Sequence, residues 1–339
     1  MRKTLSLIIT MILLMSLFAC ADTGVGKPAG PAAPGKNAVS ALDGKKVIFI
    51  GCSYTYYGNT VHQGPMFQDK QNQVTSQEER SNDQGFFYQL CKANGAEVSV
   101  TDWTYGGHDL TDILGGECNA GRGDDGYDHV ADLVDSAFDY VILQEIQIPG
   151  GGTEKYLQNV KDIMEFFRAA NPDVKFYYTI HDGVYTQQYK SDWKEAVPLI
   201  AQEGVTIVDW GTLAWDVWNG TAEVVGAAQA YNKNSFIISK AADDGYHPNP
   251  LSAYINSLMT YCAITGETAV GQPYSFCTED MTALERFKRS YYSWDSPFTQ
   301  EDERETNFVE ILSSEADVKG LQMLADKYLK NPFGLNAEE

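Results

Sequence analysis

The stretch Lys46–Asn59, KVIFIGCSYTYYGN, decides the fold. Its first half is a run of large apolar residues, Val47 to Ile50, ending at Gly51. An uninterrupted apolar run of this length marks a strand covered on both faces. The second half turns polar and aromatic, beginning with a thiol and a hydroxyl, Cys52 and Ser53. A buried strand therefore delivers a serine at its carboxyl end, and the rest of the chain must supply whatever meets it there.

Outward from this strand the pattern alternates. GFFYQLCKANG reads as a helix closed by Asn94-Gly95, AEVSVTDW as a strand, and DHVADLVDSA as a short helix with apolar residues every three to four. DYVILQE is a third strand, apolar throughout. TEKYLQNVKDIMEFFRAANP is the clearest helix: Thr153 caps it, Tyr156, Val160, Ile163 and Phe167 form one face, and Asn171-Pro172 stops it. VKFYYTI, SDWKEAVPLIAQEG and VTIVDW continue as strand, helix and strand, before the helix NPLSAYINSLMTYCAITG. Apolar strands alternating with helices predict an α/β fold: three layers, α/β/α, around a mainly parallel five-stranded sheet in flavodoxin-like order. MTALERFKRSYYSW and SSEADVKGLQMLADKYLK predict a C-terminal helical extension packed on it.

The N-terminus reads as a processing signal. Arg2 and Lys3 precede an apolar run, Leu5 to Phe18, that is short for a membrane span. It ends in SLFAC, which resembles a bacterial lipoprotein signal with Cys20 as the lipidated residue; an ordinary secretory peptide is the alternative. The Gly-, Pro- and Ala-rich segment that follows reads as a flexible tether. The expected organisation is thus signal 1–20, tether 21–44, α/β domain 45–272 and extension 273–339. The expected address is extracytoplasmic, on a membrane through an N-terminal lipid anchor.

The formal charge is −21, from 25 Lys plus Arg against 46 Asp plus Glu, which disfavours nucleic acid as a partner. After Cys20 five cysteines remain, an odd number, with no zinc-type spacing. Cys52, Cys91 and Cys262 lie in apolar segments and are expected to be buried thiols. The acidic loop Gly121–Asp128 lacks the ligand alternation of an EF-hand and reads as solvated.

Ligand sites in parallel sheets lie beyond the carboxyl ends of the strands. There the chain places Ser53, then Gly106 and Gly107 in TYGGHDL, Gln144 and Gln147 in LQEIQ, His181 in IHDGVY, and Asp244 and His247 in DDGYHPN. A serine hydroxyl becomes a nucleophile when a nearby base takes its proton, and His247 is the candidate. A carboxylate must orient the imidazole; Asp244, three residues earlier, has the better spacing, with Asp243 beside it. Amides of Ser53 and of Gly106 or Gly107, with the side chain of Gln144 or Gln147, are the candidate oxyanion donors. Tyr54, Tyr105, His181 and Tyr246 are the candidate substrate contacts. Neither a metal nor another cofactor is expected. Cys52 is a less favoured nucleophile, because the residue before such a serine points away from the pocket.

GCSY and DGYHPN resemble the first and last blocks of the SGNH (GDSL-type) hydrolases, over about Lys46 to Gly266. The resemblance implies a Ser-His-Asp esterase of Ser53, His247 and Asp244, acting on acetyl or other short acyl esters, with a glycan or small-molecule ester as substrate. The chain departs from the family at Cys52, where Asp is usual, and in its middle blocks; Gln144 fits the branches that place Gln after the third strand. The alternatives are a glycan-binding lipoprotein without turnover and a lipase or phospholipase of the same fold. The signal reading makes a separate prediction. Metabolic labelling with a fatty acid tags the wild-type protein and not Cys20→Ser, which also leaves the membrane fraction; label retained in Cys20→Ser contradicts it.

Overall fold

In the computed structural model the described residues are 39, 41–61, 83–106, 108–115, 129–145, 153–181, 187–238, 247–279 and 306–334. The chain parts into two units, Met1–Ala32 and Ala33–Glu339, and every described residue belongs to the second. Cys20, most of the tether, Cys118, the loop Gly121–Asp128 and the helix expected over 281–294 lie outside the described residues.

Five strands form one parallel sheet: β1 (Lys46–Gly51), β2 (Ser99–Thr104), β3 (Tyr140–Gln144), β4 (Lys175–Ile180) and β5 (Thr206–Asp209), in the order β2-β1-β3-β4-β5. The order reverses after β1, which puts the Ser53 end of β1 between the ends of β2 and β3. Helices α1 (Ser53–Tyr56), α2 (Phe86–Ala93), α3 (Leu110–Ile113), α4 (Thr153–Ala170), α5 (Gln187–Gln202), α6 (Trp210–Trp218) and α7 (Lys233–Phe236) connect and cover the strands. A two-residue ribbon, β6 (Ile237–Ile238) with β7 (His247–Pro248), leads into α8 (Pro250–Thr265). The chain continues to α9 (Phe308–Leu312) and α10 (Glu315–Lys330).

The apolar run of β1 divides as its two-residue period demands. Val47 and Phe49 enter the core on one face of the sheet, and Ile48 and Ile50 the core on the other. β3 repeats this, with Tyr140 and Ile142 on the first face and Val141 and Leu143 on the second. The first core is closed by α2, α6, α8, α9 and α10, and the second by α3, α4 and α5. This is the expected three-layer α/β/α fold. Phe308, Ile311 and Leu321 share the first core with α8. The carboxylate of Asp317 fastens α10 to the loop before α7, accepting from the Ala228 and Gln229 amides at 3.1 and 3.2 Å and from the Tyr231 hydroxyl at 2.9 Å.

One expected helix is absent. Residues 129–132 form turns and 133–137 are irregular. Val130 and Leu133 are buried but Val134 is 93% exposed, so the segment has no continuous apolar face. Asp135 accepts the Ala137 amide at 3.1 Å and pairs with Lys46, offering the backbone a local alternative to helix. α6 follows β5 without a loop because Asp209 caps it, accepting the Thr212 amide at 2.9 Å.

Asp209 also accepts the Phe333 amide at 2.8 Å, tying the C-terminal segment to the end of β5. Burial pushes its carboxyl up from 3.8 to about 6, against the hydrogen bonds from Thr212 and Phe333. The folded chain thus holds this proton more tightly than the unfolded chain. The associated stability is full below about pH 3.8 and lost as pH rises through about 6. Relative to Asp209→Asn, the wild type therefore loses up to about 3 kcal/mol across that window. Denaturant titrations of both proteins from pH 4 to 7 check this; a constant difference contradicts it.

Candidate active site

β1 ends at Gly51 because no side chain fits there: a Cβ would lie 2.8 Å from both the Gln144 carbonyl oxygen and the Thr55 hydroxyl. Cys52 is extended and Ser53 opens α1. Cys52 is fully buried and burial pushes its thiol up, so it is held protonated beside the serine. Ser53 Oγ lies 2.9 Å from His247 Nε2, a contact between residues 194 positions apart.

Four features hold His247 in place. Its residue pairs with Ile238 in the β6–β7 ribbon. Asn249, two residues on, caps α8 by accepting the Leu251 amide at 2.9 Å and donates to the Ser235 carbonyl at 2.7 Å. A cap of this kind contributes about 1 kcal/mol, and Pro250 at the first helical position adds a preset φ. Gly58, at φ 75°, packs on the Asn249 backbone so closely that a Cβ would sit 2.3 Å from its carbonyl oxygen. Finally, the Tyr57 ring stacks on the imidazole, centroids 4.1 Å apart and planes 18° apart. Burial pulls the imidazole down from 6.5 to about 4, so it is neutral at pH 7. With its proton on Nδ1, Nε2 accepts the serine O–H.

The neighbouring strand ends approach the serine turn from both sides. Gly106, after β2, lies against the Tyr56 hydroxyl, 2.6 Å from where a side chain would begin. Gln144, the last residue of β3, is buried; its side-chain oxygen accepts from the Thr55 hydroxyl and its Nε2 donates to the Glu145 carbonyl at 3.3 Å. Glu145 is fully buried and accepts the Leu110 amide at 3.0 Å, bracing the start of α3 behind Gly106. Asp109 and Asp112 close that start with a capping box.

Of the expected substrate contacts, Tyr54 lies near the imidazole and His181 packs on Tyr54. Tyr54 stacks on His181 at 3.8 Å and lies 5.3 Å from His247, and both side chains are buried. Tyr105 is 1% exposed and stacked on His129 at 4.0 Å, among the side chains of the second core. The strand pleat after β2 turns it inward, which proximity in sequence to Gly106 does not convey. Asp243, Asp244, Gly107, Gln147 and Tyr246 lie outside the described residues. Sequence reading gave no part to Thr55, Gly58, Glu145 or Asn249. Only Asn249 carries a local signal, as a helix cap before Pro250.

No protein-family model and no curated protein matches this chain. Several solved structures are similar to it. One is a carbohydrate esterase family 2 enzyme of Corynascus thermopiles (Myceliophthora fergusii), 15% identical at a TM-score of 0.38, over 66% of this chain and 67% of that one. Another is a protein named as a GDSL-like lipase from Parabacteroides merdae, 12% identical at 0.40, over 67% and 98%. A third is the family 3 carbohydrate esterase of Clostridium thermocellum, 13% identical at 0.39, over 64% and 93%. The functional reading rests on this chain's own residues.

The desolvation of this half-buried imidazole has a measurable consequence. Histidine NMR is expected to find the His247 ring neutral at pH 5, with a midpoint near 4. Because its folded pKa is depressed, the stability it contributes is present above about 6.5 and lost as pH falls through about 4. A midpoint near 6.5 means that hydration or a nearby carboxylate offsets the burial penalty, and contradicts this prediction.

Proposed function

We propose that this chain is a serine ester hydrolase of the SGNH type that removes acetyl or other short acyl groups, with carbohydrate esters as its substrate class. The observation that carries the reading is the 2.9 Å contact between Ser53 Oγ and His247 Nε2, beyond the carboxyl ends of a parallel sheet.

Ser53 Oγ attacks the acyl carbon while His247 Nε2 takes its proton. The carbonyl oxygen becomes an oxyanion, for which the Ser53 amide, a Gly106 or Gly107 amide and the Gln144 side chain are the proposed donors. Each is worth about 3 kcal/mol when aimed at the developing charge. Collapse expels the alcohol, which leaves with the proton held by His247. Water then attacks the acyl-serine, with His247 again accepting a proton, and releases the carboxylic acid and Ser53. Asp244 is assigned the orientation of His247 and the stabilisation of its charged form. No step calls for a cofactor. Tyr54 and Tyr57, packed beside the imidazole, with His181 behind Tyr54, favour a small acyl group over a long chain. The carbohydrate preference and the lipid-anchored, extracytoplasmic address come from the sequence resemblances.

A fluorophosphonate probe is expected to label the wild type, and Ser53→Ala to abolish labelling and lower kcat/KM by about 1000-fold or more. p-Nitrophenyl acetate is expected to be cleaved faster than long-chain esters, and acetylated oligosaccharides to lose acetate. A folded wild type that never labels and hydrolyses no ester supports the glycan-binding alternative. A preference for long chains supports the lipase.

A further inference from the structure

We propose that Tyr57 is the positioning residue of the His247 imidazole: its ring fixes the plane in which Nε2 meets Ser53 Oγ and shares the positive charge that the imidazole gains on accepting the serine proton. The inference rests on the esterase reading and adds to it a residue outside the triad.

The geometry is that of a stack. The two ring centroids are 4.1 Å apart with planes 18° apart, whereas Tyr54 is farther from the same imidazole, at 5.3 Å and 30°. Tyr57 is 8% exposed and cannot swing freely. The backbone on its C-terminal side is pinned to the helix that follows the histidine. Gly58 touches the Asn249 backbone, and the Thr60 hydroxyl donates to the Ala253 carbonyl at 3.4 Å. The same contact therefore sets the height of the tyrosine over the imidazole and the place of the histidine relative to the serine.

The chemistry gives this arrangement its use. The resting imidazole is neutral, in surroundings that burial makes hostile to charge. It becomes a cation only while it carries the serine proton. A π face against a cation is favourable, and more so where water is excluded. The stack thus gains strength during the reaction, the condition for raising kcat rather than lowering KM. Among the described residues, the groups around the ring are Ser53 and Tyr54 on α1, Tyr57 itself, and His181 behind Tyr54; the carboxylate assigned to it, Asp244, lies outside them. The phenol proton of Tyr57 takes no part, since burial pushes its ionisation up.

The test compares wild type, Tyr57→Phe, Tyr57→Leu and Ser53→Ala on p-nitrophenyl acetate, with thermal melting to confirm folding. Tyr57→Leu is expected to lower kcat about 10-fold with KM within about 2-fold, because it removes the face and keeps bulk. Tyr57→Phe, which restores the face, is expected to recover kcat to within about 3-fold of wild type. Tyr57→Met takes the place of the Leu variant should that fail to fold. An active wild type with unimpaired Tyr57→Leu, a loss confined to KM, or equal losses in Leu and Phe variants each overturn the inference alone. A wild type without Ser53-dependent turnover overturns the esterase reading and this inference with it.

Discussion

The hydrogen bond between Ser53 and His247 is the constraint on which the rest of the molecule depends. Its partners are 194 residues apart and neither belongs to the other's supersecondary unit. The serine is placed by an inner strand of the sheet, whose side chains feed both cores. The histidine is placed by a short ribbon and a helix cap, which are weak devices alone. They become exact through contact with the serine's own loop, where Gly58 lies on Asn249. α8 then carries that register into the core, since its residues from Pro250 to Cys262 are buried. A local change at either end is transmitted to the other through packed backbone rather than through a mobile side chain.

Burial cuts two ways at this site. It keeps the imidazole unprotonated, so a base is available at neutral pH, and it penalises the cation that the base must become. The charged state therefore has to be met by groups already in position. Aromatic faces and a carboxylate are the two means a protein has for this without admitting water. The same physics acts at the far edge of the sheet. There Asp209 is also buried, and its carboxyl is raised because hydrogen bonds from Thr212 and Phe333 only partly offset the lost hydration.

Much of this was legible in the chain because it is written locally. The apolar run before Gly51 announced β1, the alternation of strands and helices announced the parallel sheet, and Asn249-Pro250 announced the start of α8. The serine and histidine followed from their place at strand ends. What was missed is non-local. Spacing of apolar residues over 129–137 mimicked a helix, but only packing decides that Val134 faces water while Asp135 bonds to the backbone. Tyr105 and Tyr57 both stand near glycines in aromatic stretches, yet one is turned into the core and the other onto the histidine. Nothing in their own neighbourhoods distinguishes them. The approach of Gly58 to Asn249 likewise has no signature short of the folded chain.

The most direct measurement is to acid-quench the enzyme during steady turnover of an acetyl ester and map the acetylated peptide by mass spectrometry. The account predicts one acetyl group, on Ser53, that accumulates in the wild type and not in His247→Ala. Turnover with the acetyl group on any other side chain, Cys52 included, or acetylation of Ser53 that proceeds undiminished without the imidazole, contradicts it.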